Sequence, residues 1–336
     1  MKLEERLEVK KVFSTYVDAL ESNDVALMES LFSENVILES TNYGNANGKK
    51  QVANKISWSG EPINYSRYKI FNFVCFTENG HACQSAVVTG LVGINDEDYF
   101  HYFNFGGYYL NDYVKENGKW KISHIRFNLD FEDGNTCFVR NWWKLIDYRY
   151  FEGNISYPIV SEIHAPWRVI ENPESLGTDE EQVLDAYYRY SWGIDHADFE
   201  IFKSCIDSEF CFGNSILSNG KNQTETKEDM LANLIKFMKY KRFKEATMEH
   251  IWKIVSVDIQ NGIAKVKSMR YEPNRMSTTK FNRLNMETDF YTGKFEYEFV
   301  KREGNDWKTG GWKMRLNNPK ELKIFSETTH DKNKFF

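Results

Sequence analysis

Residues 16–32 read YVDALESNDVALMESLF, and residues 190–206 read YSWGIDHADFEIFKSCI. Set one above the other at an offset of 174, Tyr16 meets Tyr190, Glu21 meets Asp195 and Asp24 meets Asp198. An internal repeat settles domain count and fold together, so it precedes any local reading. Farther along, YKIFNFVCFTENGHA (68–82) lies over HIWKIVSVDIQNGIA (250–264), GGYYLNDYVKENG (106–118) over TGKFEYEFVKREG (292–304), and NGKWKI (117–122) over TGGWKM (309–314). The offset grows to 182, 186 and 192 between blocks, as insertions confined to loops make it do. Four blocks in one order point to two copies of one domain.

Local patterns run in the same order in both copies. Leu7, Phe13, Val17 and Leu20 recur near a helical period over about residues 3–21, and Asn23-Asp24 supplies an N-cap for a second helix carrying Leu27, Met28 and Leu31. Strand-like runs follow over about 68–76, 82–93, 99–115 and 120–131, broken by Asn79-Gly80 and Asn117-Gly118 turns. The second copy predicts helices over about 181–194, 199–206 and 227–239, then strands over about 248–259, 263–271, 283–301 and 312–316. Helices followed by an antiparallel meander indicate an α+β domain in which a curved sheet wraps the helices. The expected division is a first domain over 1–146, a linker over 147–178 that holds three of the six prolines (Pro158, Pro166, Pro173), and a second domain over 179–325. The segment Thr136 to Ile146, with Trp142 and Trp143, is expected to add a helix at the boundary.

Composition narrows the function classes. With 336 residues, 41% hydrophobic and 16% aromatic, the chain has ample apolar material for two cores. A net charge of -6 argues against a nucleic-acid partner. The charged start MKLEERLEVKK has no apolar signal region, and no run approaches the roughly 18 apolar residues of a membrane span, so a soluble cytoplasmic protein without a membrane partner is expected. The five cysteines (Cys75, Cys83, Cys137, Cys205, Cys211) form neither a disulfide framework nor a CxxC pair, which suits a reducing compartment. There is no phosphate-binding loop, dinucleotide fingerprint or HExxH, so neither cofactor nor metal is expected.

The helix ending Tyr-x4-Asp/Glu-x2-Asp, the Asn-Gly-x-Ala hairpin and the closing Gly-x-Trp-Lys-Ile/Met strand (Trp120, Trp312) resemble the NTF2-like, cystatin-like-fold superfamily, and within it the SnoaL-like branch. The resemblance covers roughly residues 3–132 and 179–318 and implies two tandem cone-shaped α+β domains. In that branch the bile acid dehydratases, scytalone dehydratase and a dehydrochlorinase carry an Asp near the end of the first helix and a His on an early strand. Asp195 and His250 are residues of those types at those places, and Tyr190 stands five residues before the Asp, as in the bile acid dehydratases. The first copy departs from the pattern, with Glu21 for the Asp and Tyr68 where the His belongs. A phenol, with a reference pKa of about 10, is no ready proton acceptor at neutral pH.

Removal of a proton beside a carbonyl needs a base and a group that stabilises developing charge. An imidazole near its reference pKa of about 6.5 suits the first task, and a carboxylate on its other nitrogen selects the tautomer. The resemblance therefore implies His250 as base, Asp195 as its orienter and Tyr190 as acid or hydrogen-bond donor, in a cofactor-independent lyase or isomerase acting on a hydrophobic, cyclic, carbonyl-bearing small molecule. Against this stands a structural account in which His250 is a satisfied strand residue and Asp195 caps a turn. Tyr16, Glu21 and Tyr68 are the corresponding positions of the first copy, and His124, Arg126 and Asn128 share a strand face that suits a polar substrate there. Glu287 and Asp289 alternate with Asn285 on one strand face, as a second pocket carboxylate or as a solvated edge. The 25 Phe and 19 Tyr either line an apolar ligand pocket or simply fill two wide cones. The other function class is a non-catalytic small-molecule-binding or scaffold protein. Either way the expected partner is a small hydrophobic ligand, with the halves as an internal pseudo-dimer and a homo-oligomer as a further possibility.

Overall fold

The structure is a computed structural model that describes residues 2–58, 60–95, 100–135, 159–196, 198–209, 213–216, 222–226, 228–229, 231–232, 235, 250–271, 291–301 and 306–316. The chain divides into two compact units, Met1–Gly177 and Thr178–Phe336.

In the first unit, α1 (Lys2–Ser22) and α2 (Val25–Leu31) lead into β1 (Phe32–Ser40), β2 (Ala46–Asn47) and α3 (Lys49–Ile56). Four long strands follow: β3 (Tyr65–Glu78), β4 (His81–Asn95), β5 (Phe100–Glu116) and β6 (Lys119–Gly134). They build one curved sheet in the order β2-β1-β6-β5-β4-β3, antiparallel throughout except for the parallel pair β1 and β6. Asp24 caps α2 as its sequence position predicts, its carboxylate accepting the Leu27 N–H at 2.9 Å. The Asn-Gly turns hold both central residues at positive φ, Asn79 at 50° and Gly80 at 76°, Asn117 at 50° and Gly118 at 76°. That geometry matches the twist of the flanking strands and pins their register, with Glu78 facing His81 and Glu116 facing Lys119. On β6 the alternation sends Ile125, Phe127 and Leu129 into the core, and a register shift against β5 lets Ile122 join them. There they meet Phe13, Tyr16 and Leu20 of α1, with Tyr109 and Phe127 rings 4.4 Å apart at the centre.

The second unit repeats this plan. α5 (Asp179–Asp195) starts in a capping box, Thr178 Oγ1 accepting the Glu181 N–H and Glu181 Oε2 accepting the Thr178 N–H. α6 (Phe199–Ser204), capped by Asp198, follows, then β7 (Gly213–Ile216), β8 (Asn222–Glu225), β9 (Ile251–Gln260), β10 (Ile263–Tyr271), β11 (Tyr291–Val300) and β12 (Lys308–Leu316). The sheet order is β8-β7-β12-β11-β10-β9, with β7 parallel to β12, so each strand occupies the place of its counterpart in the first unit.

Three sequence expectations are revised or fall outside the description. The described part of the predicted linker is not free chain. Residues 162–164 form a 3-10 turn, α4 (Pro166–Val169) packs on β3 and β4, and Val160, Ala165 and Ile170 are buried. The Glu174 N–H donates to Thr77 O at 2.9 Å and Cys83 Sγ to His164 O at 3.1 Å, so this segment belongs to the first unit up to Gly177. The prolines fit because Pro166 opens a helix, where its missing N–H costs no bond. The strands β1, β2, β7 and β8 and helix α3 were absent from the sequence reading. The expected helix over 136–146, and most of that over 227–239, lies outside the described residues.

One glycine sets the approach of the two helices ahead of the second sheet. A Cβ at Gly193 would lie 2.7 Å from Phe202 N and 2.9 Å from Phe202 Cα, both backbone atoms that cannot swing aside. Gly193→Ala is therefore expected to destabilise the protein by about 1–3 kcal/mol, read as a lower midpoint in denaturant unfolding. An unchanged midpoint would show that α5 and α6 can part without cost.

Candidate active site

Asp195 is the last residue of α5, and His250 immediately precedes β9. The carboxylate accepts twice from the same residue: Oδ2 takes the His250 backbone N–H at 3.1 Å, and Oδ1 faces ring Nδ1 at 2.8 Å. The Asp195 side chain is 1% exposed and that of His250 10%. A carboxylate so deeply placed must be hydrogen-bonded, and His250 meets that need on both oxygens. The double attachment fixes the ring orientation and assigns the proton to Nδ1, so Nε2 is the basic nitrogen of the neutral ring.

Around the pair stands an aromatic wall. The His250 and Trp252 rings are 5.8 Å apart, and Trp252 packs against Tyr187 at 4.8 Å and Phe295 at 4.9 Å. Trp252 Nε1 donates to Ser191 Oγ, which donates to Tyr187 O, and the Tyr187 hydroxyl bonds to Ser268 Oγ at 2.9 Å. Each buried polar tip thus has a partner, which fixes the rings relative to α5. Tyr190 lies in this wall, packed on Phe202 at 5.0 Å and hydrogen-bonded to the Tyr297 phenol. Burial pushes the Tyr297 phenol up to about 12, against the pull of that hydrogen bond and of the nearby Arg270 charge. The phenol therefore stays protonated at neutral pH.

The first unit keeps the backbone half of this arrangement and replaces the chemical half. Glu21 Oε2 accepts the Tyr68 N–H at 2.8 Å, as Asp195 does from His250, while Oε1 takes exposed Arg67 at 2.6 Å. The Tyr68 hydroxyl accepts from Trp58 Nε1 at 2.9 Å. Tyr16, hydrogen-bonded to Tyr109, is also interior. Burial raises the pKa of Tyr16, Tyr68 and Tyr109, so none of these phenols is a base near neutral pH. An open groove of about 490 Å³ lies beside Glu21, lined by Asn23, Trp58, Glu61, Tyr65 and Arg67.

His124 and Arg126, expected from the sequence to suit a polar substrate, stand on the face of β6 away from the core. Because Ile125, Phe127 and Leu129 take the core face of β6, the residues between them project from the opposite face. There His124 Nε2 pairs with Glu39 Oε2 at 2.7 Å, Arg126 Nη2 donates to His124 Nδ1, and Arg126 Nη1 donates to Asp112 Oδ2 at 2.7 Å. Burial, and then the Arg126 charge, hold the His124 imidazole below its usual pKa despite Glu39. The network ties β1, β5 and β6 together. Glu287 and Asp289 lie outside the described residues.

The sequence reading missed Ser191, Trp252 and Arg270. The first two carried no motif; Arg270 had a signal, a cation continuing the Ala264, Val266, Ser268 alternation of β10. Among the described residues, no group of three or more His, Cys, Asp or Glu is placed to hold a metal ion, and no helix is long and apolar enough to cross a membrane.

The family model of the SnoaL-like domain matches residues 1–126. Similar solved structures include the LinA-type3 hexachlorocyclohexane dehydrochlorinase of Novosphingobium barchaimii (13% identity, 40% of this chain and 91% of that one, TM-score 0.34). A cystatin-like-fold protein of Nostoc punctiforme is another (19% identity, 37% of this chain and 90% of that one, TM-score 0.31). No curated protein matches the chain significantly.

The pair of hydrogen bonds that Asp195 accepts has a spectroscopic consequence. In ¹⁵N-labelled protein above the imidazole titration, His250 is expected as the Nδ1–H tautomer, and Asp195→Asn is expected to shift it toward Nε2–H. A wild-type His250 already in the Nε2–H form would contradict the assignment.

Proposed function

We propose that the second unit is a second SnoaL-like domain and the catalytic half of a cofactor-independent lyase or isomerase. The observation that carries this reading is the buried Asp195–His250 pair, one carboxylate holding both the backbone and the ring of a single histidine. An imidazole so fixed is oriented before substrate arrives, which is what general-base catalysis requires. The shared strand order and the Glu21–Tyr68 counterpart support the duplication.

The substrate is a hydrophobic, cyclic molecule with a carbonyl, suited to a wall of Trp252, Tyr297 and Phe295. His250 Nε2 takes a proton from the carbon beside the carbonyl; the electron pair of the broken C–H bond forms a carbon–carbon double bond, and the carbonyl oxygen becomes an enolate. Asp195 stabilises the imidazolium. Tyr190, with its hydrogen-bonded partner Tyr297, supplies the donor that polarises the carbonyl or meets the departing oxygen. In elimination a leaving group on the next carbon departs with the bonding pair and recovers the proton from His250. In isomerisation, for a substrate with a carbon–carbon double bond next to the deprotonated carbon, the enolate is a dienolate, and the proton returns from His250 to its far carbon as the double bond moves into conjugation with the carbonyl.

A binding role is the better account of the first unit alone. There Tyr68 stands at the position of the base and Glu21 is engaged by Arg67, so the interior offers aromatic surface without a base in that position.

The test is solvent deuterium exchange at the acidic carbons of 2-tetralone and related cyclic ketones, followed by proton NMR with the full chain. The wild-type protein is expected to accelerate exchange, and His250→Ala to lose about 10²-fold or more of that rate with an unchanged circular dichroism spectrum. Full activity in His250→Ala would remove His250 as the base. Ketone binding without any exchange by the wild-type protein would favour a binding protein over an enzyme.

A further inference from the structure

β10 sends Ala264, Val266 and Ser268 into the second unit's interior, where all three are buried. Arg270 is the next residue in that alternation, at the end of the strand, so a guanidinium stands at the head of an otherwise small and uncharged row. Cross-strand register places it opposite Trp252 on β9 and opposite Gly293 on β11. Gly293 contributes no side chain, and the guanidinium spreads over the ring of Phe295, its central carbon 5.4 Å from the ring centroid. Its charge reaches the Tyr297 phenol, one of whose pulls toward lower pKa it supplies.

The same side chains connect this cation to the candidate base. Trp252 is two residues beyond His250 on β9, 5.8 Å from its ring and 4.9 Å from that of Phe295. Imidazole, indole, phenyl ring and guanidinium thus line one end of the interior face. Arginine is half-buried here at a cost in desolvation that a surface position would avoid, and its planar fork suits an oxygen anion. The apolar rings beside it suit a flat hydrocarbon body.

We propose that Arg270 is the anion-holding residue of this site, binding a negatively charged oxygen of a flat hydrophobic ligand beside His250. The oxygen is either a permanent carboxylate or the enolate oxygen that proton abstraction creates. The enolate case rests on the catalytic reading of the second unit; the carboxylate case stands without it.

The experiment uses two probes of one shape, 2-naphthoate and the neutral 2-naphthamide, titrated into the full chain and read by tryptophan fluorescence and calorimetry. Wild-type protein is expected to bind naphthoate about ten- to a hundredfold more tightly than the amide, the range of a hydrogen bond to a charged group. Arg270→Gln is expected to abolish that preference, bringing naphthoate affinity to the level of the amide, while Arg270→Lys, which keeps the charge, retains part of it. In the exchange assay, Arg270→Gln is expected to lower kcat for ketone exchange with little change in KM, because the charge it meets exists only as the enolate forms. Naphthoate and amide binding alike to the wild type, no naphthoate binding, or tight naphthoate binding by a folded Arg270→Gln each overturns the proposal. Absence of ketone exchange together with intact naphthoate selectivity sinks the catalytic reading and leaves Arg270 as an anion site.

Discussion

A carboxylate at the end of a helix, turned into an apolar interior, has to be met by hydrogen-bond donors, because an ionised group left unpaired there would forfeit several kcal/mol of hydration. In the second unit that requirement falls on Asp195, and the first residue ahead of β9 satisfies it with a backbone N–H and a ring N–H. The bond therefore ties α5 to the edge strand of the sheet and at the same time orients an imidazole. In the first unit Glu21 does the structural part alone, holding the Tyr68 N–H and turning its second oxygen outward to Arg67. The two units share the constraint and differ in what chemistry hangs on it.

Everything near the pair reinforces its rigidity. Gly193 lets α6 approach α5 within backbone contact two residues before Asp195, and the chain of bonds from Trp252 through Ser191 to the Tyr187 carbonyl anchors the wall of the site to the same helix. Tyr187 packs against Trp252, Tyr297 and Phe299 and reaches β10 through Ser268. Large rings dominate this face, and the Tyr187 and Trp252 polar tips are met by Ser268 and Ser191. In the first unit Phe13, Tyr16, Tyr109 and Phe127 are buried together, ring against ring.

Much of this was legible in the amino-acid order. The Tyr-x4-Asp/Glu-x2-Asp spacing located the ends of α1 and α5, and the Asn-Gly pairs located the hairpins, because both depend on local geometry that few residue types satisfy. The pairing of Asp195 with His250 came from resemblance and not from spacing, since 55 residues separate them. Strands β2 and β8, of two and four residues, are too short to show a period, and β1 breaks its alternation where its register shifts against β6. The faces of β6 were separable in sequence, but which face was interior was not, and the ion-paired network that joins His124 and Arg126 to Glu39 and Asp112 was not legible there. Arg270 escaped notice for the opposite reason: an arginine near a strand end looks like ordinary surface until its neighbours on the same face are seen to be buried.

The coupling between the Asp195 carboxylate and the His250 ring is the quantity on which this account turns. It is measured by a double-mutant cycle in denaturant unfolding with Asp195→Asn, His250→Ala and the double variant; His250→Ala leaves the backbone N–H in place, so the cycle isolates the ring bond. The two substitutions are expected to be non-additive, with a coupling of about 1–3 kcal/mol. Additivity within about 0.5 kcal/mol, the behaviour of independent sites, would show that the carboxylate does not hold the ring.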